Sequence, residues 1–491
     1  MAQALIRQSF LRFDDKNFPV HTWEFRLRRL LNWFPLALGY ASMVFMRYNL
    51  NALQKALDDD KLMTLHDFGT IFSIGAAMYV VGFFTFGPLV DRKGGRWGMI
   101  AGLTGTIISN LLMALVVQGV LKFQWGIPVF WTIAVLYGAN MFFQSLGAMS
   151  IVTTKMPWFH VRERGTFSTI FGVMITLGIY FAFDWGYAIK DATRAIINPD
   201  KLSATATAFR EILGTGGSGI NESWWLFLFP ALFGLFWLIP IVFTLRNTPQ
   251  SAGFAEFETG DDHVSDQSLT MRQMLKEVFL NPKHRTVLII CLIEFCSGVI
   301  RNGTMQYYPK FAESVGFKYD FWITTHWGLV LLIAGVIGAY ATGWVSDKVF
   351  GSRRGPMALC LYTMMFASMW IVFFTLGKNS IGHGELITGI SIFVVAMSVI
   401  GVHAILSGTA AADFTGVKNT GKAVGIVDGA VYAGTGLQSY ITGLFMVSNS
   451  QELKNPDNWI AWPLIILPFT LIGMVLCLMI YNALPKGRRG H

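Results

Sequence analysis

Charge is what this 491-residue chain has least of: Asp, Glu, Lys and Arg together make up 14% of it, against about 25% in a soluble globular protein. That shortage, with 53% hydrophobic residues and a mean hydropathy of +0.49, excludes disordered, collagenous and soluble classes. Cysteine is scarce as well. The four thiols, Cys291, Cys296, Cys360 and Cys477, lie in apolar runs without metal-ligand spacing. They read as small buried hydrophobes, so neither a disulfide framework nor a metal site is expected. The first 29 residues lack an apolar core ahead of a small-residue cleavage site, so no removable signal peptide is expected. No phosphate-cradling Gly-rich loop occurs, which leaves an ATP-driven pump unsupported. No nucleophile–base pair or His/Glu cluster argues for an enzyme. No cofactor is implied.

What the chain does have is long apolar runs. About 20 residues of helix cross a bilayer, and twelve such runs are present: 30–51, 68–90, 97–121, 127–154, 164–185, 223–245, 286–308, 322–345, 355–376, 385–411, 421–446 and 459–484. Alternating ten-residue segments typical of a membrane barrel are not seen. The expectation is an all-α membrane protein of twelve transmembrane helices in two six-helix, pseudo-symmetric halves. Its parts are a 1–29 cytoplasmic segment, a 30–245 half, a 246–285 polar linker, a 286–484 half and a 485–491 tail. Trp23–Leu31 reads either as an amphipathic interfacial helix or as part of a solvated tail. The 186–222 connection reads as an external excursion without an assigned role.

Lys and Arg number 25 on the side that carries both termini and 11 on the other. The positive-inside bias therefore places both termini in the cytoplasm. The net charge of +9 is spread over these loop mouths and not clustered on one face, which argues against nucleic acid as a partner.

Two equivalent connections repeat a signature. After the second span the chain reads Gly87-Pro88-Leu89-Val90-Asp91-Arg92-Lys93-Gly94-Gly95-Arg96; after the eighth, Gly343-Trp344-Val345-Ser346-Asp347, then Lys348, Arg353 and Arg354. A glycine, an acid four residues later and a basic cluster suit a cytoplasmic latch that forms when that face closes. Gly87, Asp91, Arg92, Arg96, Asp347 and Arg353 are its candidates.

At this point the chain resembles the major facilitator superfamily, whose loop motif runs Gly-x-x-x-Asp-Arg-x-Gly-x-Arg. The resemblance implies two halves that rock about a central site.

Intramembrane charge narrows the reading. A cation at the centre of a span costs about 2.5–3.5 kcal/mol on insertion scales, so it is a functional candidate by default. Arg47, in Arg47-Tyr48-Asn49, lies late in span one, and Arg301, in Ile300-Arg301-Asn302-Gly303, lies late in the equivalent span seven. Two guanidinium forks facing one cavity suit a phosphate dianion. Snorkelling to the interface is the competing reading for each.

With Tyr307-Tyr308-Pro309, Phe143-Gln144-x-x-Gly147, Arg162-x-Arg164-Gly165, Gly425-Ile426-Val427-Asp428-Gly429 and His403-Ala404, these residues resemble the organophosphate:inorganic phosphate antiporter family. That family includes glycerol-3-phosphate and hexose-phosphate transporters and eukaryotic sugar-phosphate exchangers. The resemblance implies that Arg47 and Arg301 hold a phosphoryl group, with Tyr40, Tyr79, Gln144, His403 and Tyr432 shaping the pocket. It also implies a bacterial inner-membrane, multi-pass and monomeric protein. Its partners would be a small anionic substrate, inorganic phosphate or protons as coupling ion, and the lipid bilayer.

Three departures reduce the cation count: Tyr48 and Phe83 stand where the family has lysines, and Ile175 where it has a histidine. The alternative is a proton-coupled carrier of carboxylates, siderophores or similar anions, with Glu294 or Asp428 taking the proton. Glu294, two helical turns before Arg301, equally suits a counter-ion to that arginine. Asp184 is a third acid within a span. A sensor without transport is a further alternative.

Overall fold

The computed structural model describes residues 7–14, 19–60, 62–160, 163, 172–174, 176–195, 202–256, 259, 270–281, 285–317, 321–351, 353–376, 384–410, 420–446 and 452–483. Fourteen helices of seven residues or more organise them. In chain order they are α1 Trp23–Asp59, α2 Leu65–Lys93, α3 Gly95–Phe123, α4 Val129–Trp158, α5 Gly172–Ala192, α6 Ala204–Leu213, α7 Trp225–Thr244, α8 Met271–Leu280, α9 Arg285–Ser314, α10 Trp327–Lys348, α11 Arg354–Thr375, α12 Gly384–His403, α13 Thr420–Phe445 and α14 Ala461–Met479. Ten of the stretches are long and apolar enough to cross a membrane. The expected spans 30–51 and 421–446 lie in α1 and α13, which carry more polar residues and are not among those ten.

Local chemistry sets the ends. Thr64 and Asp67 form a reciprocal capping box that starts α2, and Gly94, at φ +84°, makes the sharp turn into α3, a conformation that favours glycine. Inside the bundle the halves are built on small-residue crossings. A side-chain carbon at Gly298 would collide with the Val431 carbonyl oxygen, and one at Gly434 with that of Phe295. The α9–α13 pair thus packs backbone against backbone, as small residues allow between apolar helices. That crossing sets the position of Arg301 and Tyr432.

The halves meet at the end of the bundle opposite the termini. Ser73 donates to the Gly436 carbonyl at 3.0 Å, and His66 Nδ1 lies 3.1 Å from the Gly443 carbonyl, which join α2 to α13. Asp184 accepts from the backbone N–H groups of Gly328 at 2.7 Å and Leu329 at 3.2 Å. It therefore caps the start of α10 from the other half, with a carboxylate at the positive end of a helix. Beside it the buried Lys190 ammonium pairs with Glu313 at 3.0 Å. Asp184, read from sequence as a third acid within a span, is thus a cap between halves.

Two further expectations are corrected. Cys291, Cys296 and Cys477 are buried, but Cys360 is exposed, because it lies on an outward face of α11. Trp23–Leu31 is neither a separate interfacial helix nor a tail: it continues without a break into α1. The bundle is all-α as expected, and ahead of it Phe10–Phe13 and Pro19–His21 pair as one short antiparallel hairpin, β1 and β2.

That hairpin is tied to two distant segments. Arg7 exchanges backbone bonds with Gly253 and Ala255, and Ser9 donates to the Ala255 carbonyl. Phe25 packs on Trp158 and Phe254. Glu163 closes the assembly: it accepts from both Arg29 at 3.0–3.1 Å and the His160 backbone at 3.2 Å, and lies 3.4 Å from His21 Nε2. Burial pushes its pKa up, but the hydrogen bonds from His21 and Arg29 and the Arg29 charge win, holding it at about 2 against an ordinary 4.5. A depressed carboxyl stabilises above its unfolded pKa and stops doing so as pH falls through the folded one. Amide protection of the hairpin should therefore be constant from pH 7 to 5 and decline between about pH 4.5 and 2. Glu163→Gln should remove that decline and cost about 1 kcal/mol at neutral pH. Hydrogen exchange over Ser9–His21 measures both.

Candidate functional site

Arg47 sits on α1 in a wholly protein-lined pocket, 3% exposed. A buried guanidinium needs partners for its donors, and residues of three other helices supply them. Nε donates to Gln144 Oε1 at 2.7 Å, one Nη donates to the Tyr432 hydroxyl, and the other reaches the Tyr79 hydroxyl at 3.5 Å. Its charge also lies over both rings, 4.9 Å from the Tyr79 centroid and 5.4 Å from that of Tyr432, within cation–π range. The two tyrosines stack on each other at 3.9 Å. Tyr79 comes from α2 and Tyr432 from α13, so the stack spans both halves. Phe83, where the family resemblance expects a lysine, packs edge-on behind Tyr79 at 4.9 Å.

Behind Arg47 lies a polar chain that was not identified from the sequence. Tyr137 donates to the Arg47 carbonyl at 3.0 Å and Asn140 to that of Met46 at 3.1 Å. Gln144 and Asn110 donate to Asn140, and Asn49 to Asn110. Asparagine in the middle of apolar runs was the available signal.

Arg301 is in a different state. Its guanidinium carbon lies 5.8 Å from the Tyr432 centroid, and among the described residues its side chain makes no hydrogen bond or ion pair. Its donors are therefore available. Both arginines thus address one tyrosine ring, Arg47 tied to the hydroxyl and Arg301 over the face.

The remaining candidates divide. Tyr40 is buried on α1, packed where a side-chain carbon at Gly147 would touch it, and within electrostatic reach of Arg47. Glu294 does not pair with Arg301: its Oε2 lies 3.2 Å from His403 Nδ1 on α12. Asp428 accepts from Ser407 at 2.5 Å. Of the latch, Arg96 bonds to the end of its own half and the start of the linker, its guanidinium to the Val242 carbonyl at 2.9 Å and its backbone N–H to Asn247 at 2.8 Å. Arg353 reaches the Phe350 carbonyl at 3.2 Å, Gly87 lies against Met271 and Met149, and Arg92 is exposed. The side chains of Asp91 and Asp347, and residue Ile175, lie outside the described residues. Among the described residues no cluster of three His, Cys, Asp or Glu is placed to hold a metal.

A twelve-run helical chain with paired intramembrane cations at a seam between halves has the build of a secondary transporter. Comparison with known proteins agrees. A family model described as MFS/sugar transport protein matches residues 201–482 and one described as Major Facilitator Superfamily matches 36–189. The chain belongs to the major facilitator superfamily, and its relatives are those of the organophosphate:inorganic phosphate antiporter family. It is similar to a glycerol-3-phosphate transporter of Bacillus subtilis, 23% identical with 96% of each chain covered. It is also similar to the membrane sensor protein UhpC of Escherichia coli, 25% identical over 82% of each. Its fold matches that of a bacterial homologue of the lysosomal transporter Spinster in an inward-facing, unoccupied conformation. The TM-score is 0.63, at 13% identity, covering 94% of this chain and 96% of that one. The protein is accordingly a multi-pass membrane protein of transporter type and not an enzyme.

Proposed function

We propose that this protein spans the membrane twelve times with both termini in the cytoplasm and exchanges a phosphorylated small molecule for inorganic phosphate. The single observation that carries this reading is the shared ring: Arg47 and Arg301, from opposite halves, both lie against Tyr432. A phosphoryl group entering between them would replace the Tyr432 hydroxyl on Arg47 and fill the unused donors of Arg301. Each arginine offers a bidentate, charge-assisted contact. The names of the relatives, which include glycerol-3-phosphate and hexose-phosphate transporters, support the choice of phosphate over carboxylate.

With the termini in the cytoplasm, the Asp184 cap, the Lys190–Glu313 pair and the α2–α13 bonds would close the external side. Occupation of both arginines by one dianion would let the halves exchange this closure for one on the cytoplasmic side.

The Glu294–His403 pair favours a second reading, in which a proton moves with the anion. One experiment separates them. Purified protein is placed in liposomes loaded with labelled phosphate, and unlabelled phosphate or glycerol 3-phosphate is added outside. Exchange predicts release that depends on the external anion and is unchanged when the pH gradient is collapsed. Release that needs the gradient and no external anion supports the proton-coupled reading instead.

A further inference from the structure

The acids of the C-terminal half are not used by the phosphoryl reading. Glu294 is completely buried, its Oε1 has no hydrogen-bond partner, and its Oε2 holds His403 Nδ1. A carboxylate only accepts, so Nδ1 carries a proton, and in the neutral form of the ring Nε2 is then the acceptor. The His403 side chain is about one-third exposed, at 32%. Asp428 has one oxygen on Ser407 and lies within electrostatic reach of His403, Glu294 and Arg301. These groups stand at a set depth from the arginines. Asp428 is one turn before Tyr432 on α13, and Glu294 two turns before Arg301 on α9. That places them about 6 and about 10 Å along the axes, toward the end that carries the termini.

Two cations and Asp428 therefore stand about one site, with Glu294 buried behind His403, in a chain where Tyr48 and Phe83 replace expected lysines. A pure counter-ion role for Glu294 would put its oxygens on Arg301, and they are not there. A buried oxygen left without a donor costs about 1–3 kcal/mol, and a partner that arrives would recover that cost. We infer that Asp428 and His403, with Glu294 as the residue that positions the imidazole, form a second subsite that binds a protonated amine on the far end of a phosphate ester. The transported compound is then zwitterionic: phosphoryl on Arg47 and Arg301, ammonium about 6–10 Å away on the acceptors. This rests on the phosphoryl reading of the arginines.

The test uses the purified full-length protein and three competitors of labelled inorganic phosphate: glucosamine 6-phosphate, glucose 6-phosphate and hexyl phosphate. The first two differ at one position, amine against hydroxyl. The amine ester should compete about tenfold more strongly than the hydroxyl ester, and hexyl phosphate most weakly. Asp428→Asn and His403→Phe should bring the first ratio close to one, with melting curves recorded for each variant. Equal potency of the three esters in the unaltered protein overturns the inference whether or not the variants fold. So does an amine preference that survives both substitutions. Failure of inorganic phosphate itself to bind is a different result: it removes the phosphoryl reading, and the subsite with it.

Discussion

Arg301→Ala should abolish counterflow of labelled phosphate while leaving the protein folded. The side chain has no hydrogen-bond partner among the described residues to orphan, and removing an intramembrane cation relieves its insertion cost. What disappears is binding. Two hydrogen bonds to a charged group are together worth at least about 3 kcal/mol, so affinity falls by more than about 100-fold. Arg47→Ala stops transport too, but for a second reason as well. It strands Gln144, Tyr79 and Tyr432 around a vacancy, and its melting temperature drops where that of Arg301→Ala does not. Arg301→Lys stays impaired, because an ammonium cannot offer the paired donors of a guanidinium. Counterflow and melting curves on the three variants decide the matter. Undiminished exchange in Arg301→Ala would remove the site.

The second large effect concerns the closure between halves. Lys190 and Glu313 have side chains only 3% and 11% exposed; breaking a buried pair by removing one partner costs up to about 3–5 kcal/mol, lessened here because Lys190 keeps Asp191 at 3.5 Å. Glu313→Gln therefore weakens the closed external end, and Asp184→Ala removes the cap on α10. Hydrogen exchange at Gly328 and Leu329, whose N–H groups Asp184 holds, should accelerate by more than tenfold in Asp184→Ala. Both variants should lose exchange activity, because the equilibrium between the two closed forms is tilted. Unchanged protection at those two amides would mean the cap carries no weight.

The bundle was legible in the sequence because apolar runs of span length suit a bilayer and little else, and the paired arginines because charge is conspicuous among them. Tyr79, Gln144 and Tyr432 came from the resemblance, and the structure brings all three onto Arg47. What could not be read was the choice of partner. Glu294 and Arg301 share a helix face, and spacing alone made them neighbours; the carboxylate instead turns to His403, 109 residues away. Asp184 finds backbone amides 144 residues further on, a bond that no pattern of side chains announces. Nor did any run of residues signal the terminal hairpin, whose stability comes from Glu163 and from linker backbone near Gly253 and Ala255.

Because one half contributes Arg47 and the other Tyr432, the unloaded molecule is braced by its own phenol. On the proposed reading, cargo would have to evict that hydroxyl before the halves could part. On the exchange reading, a carrier built this way would idle when nothing is bound, so that slippage without a passenger is suppressed and swapping one anion for another outpaces net leakage.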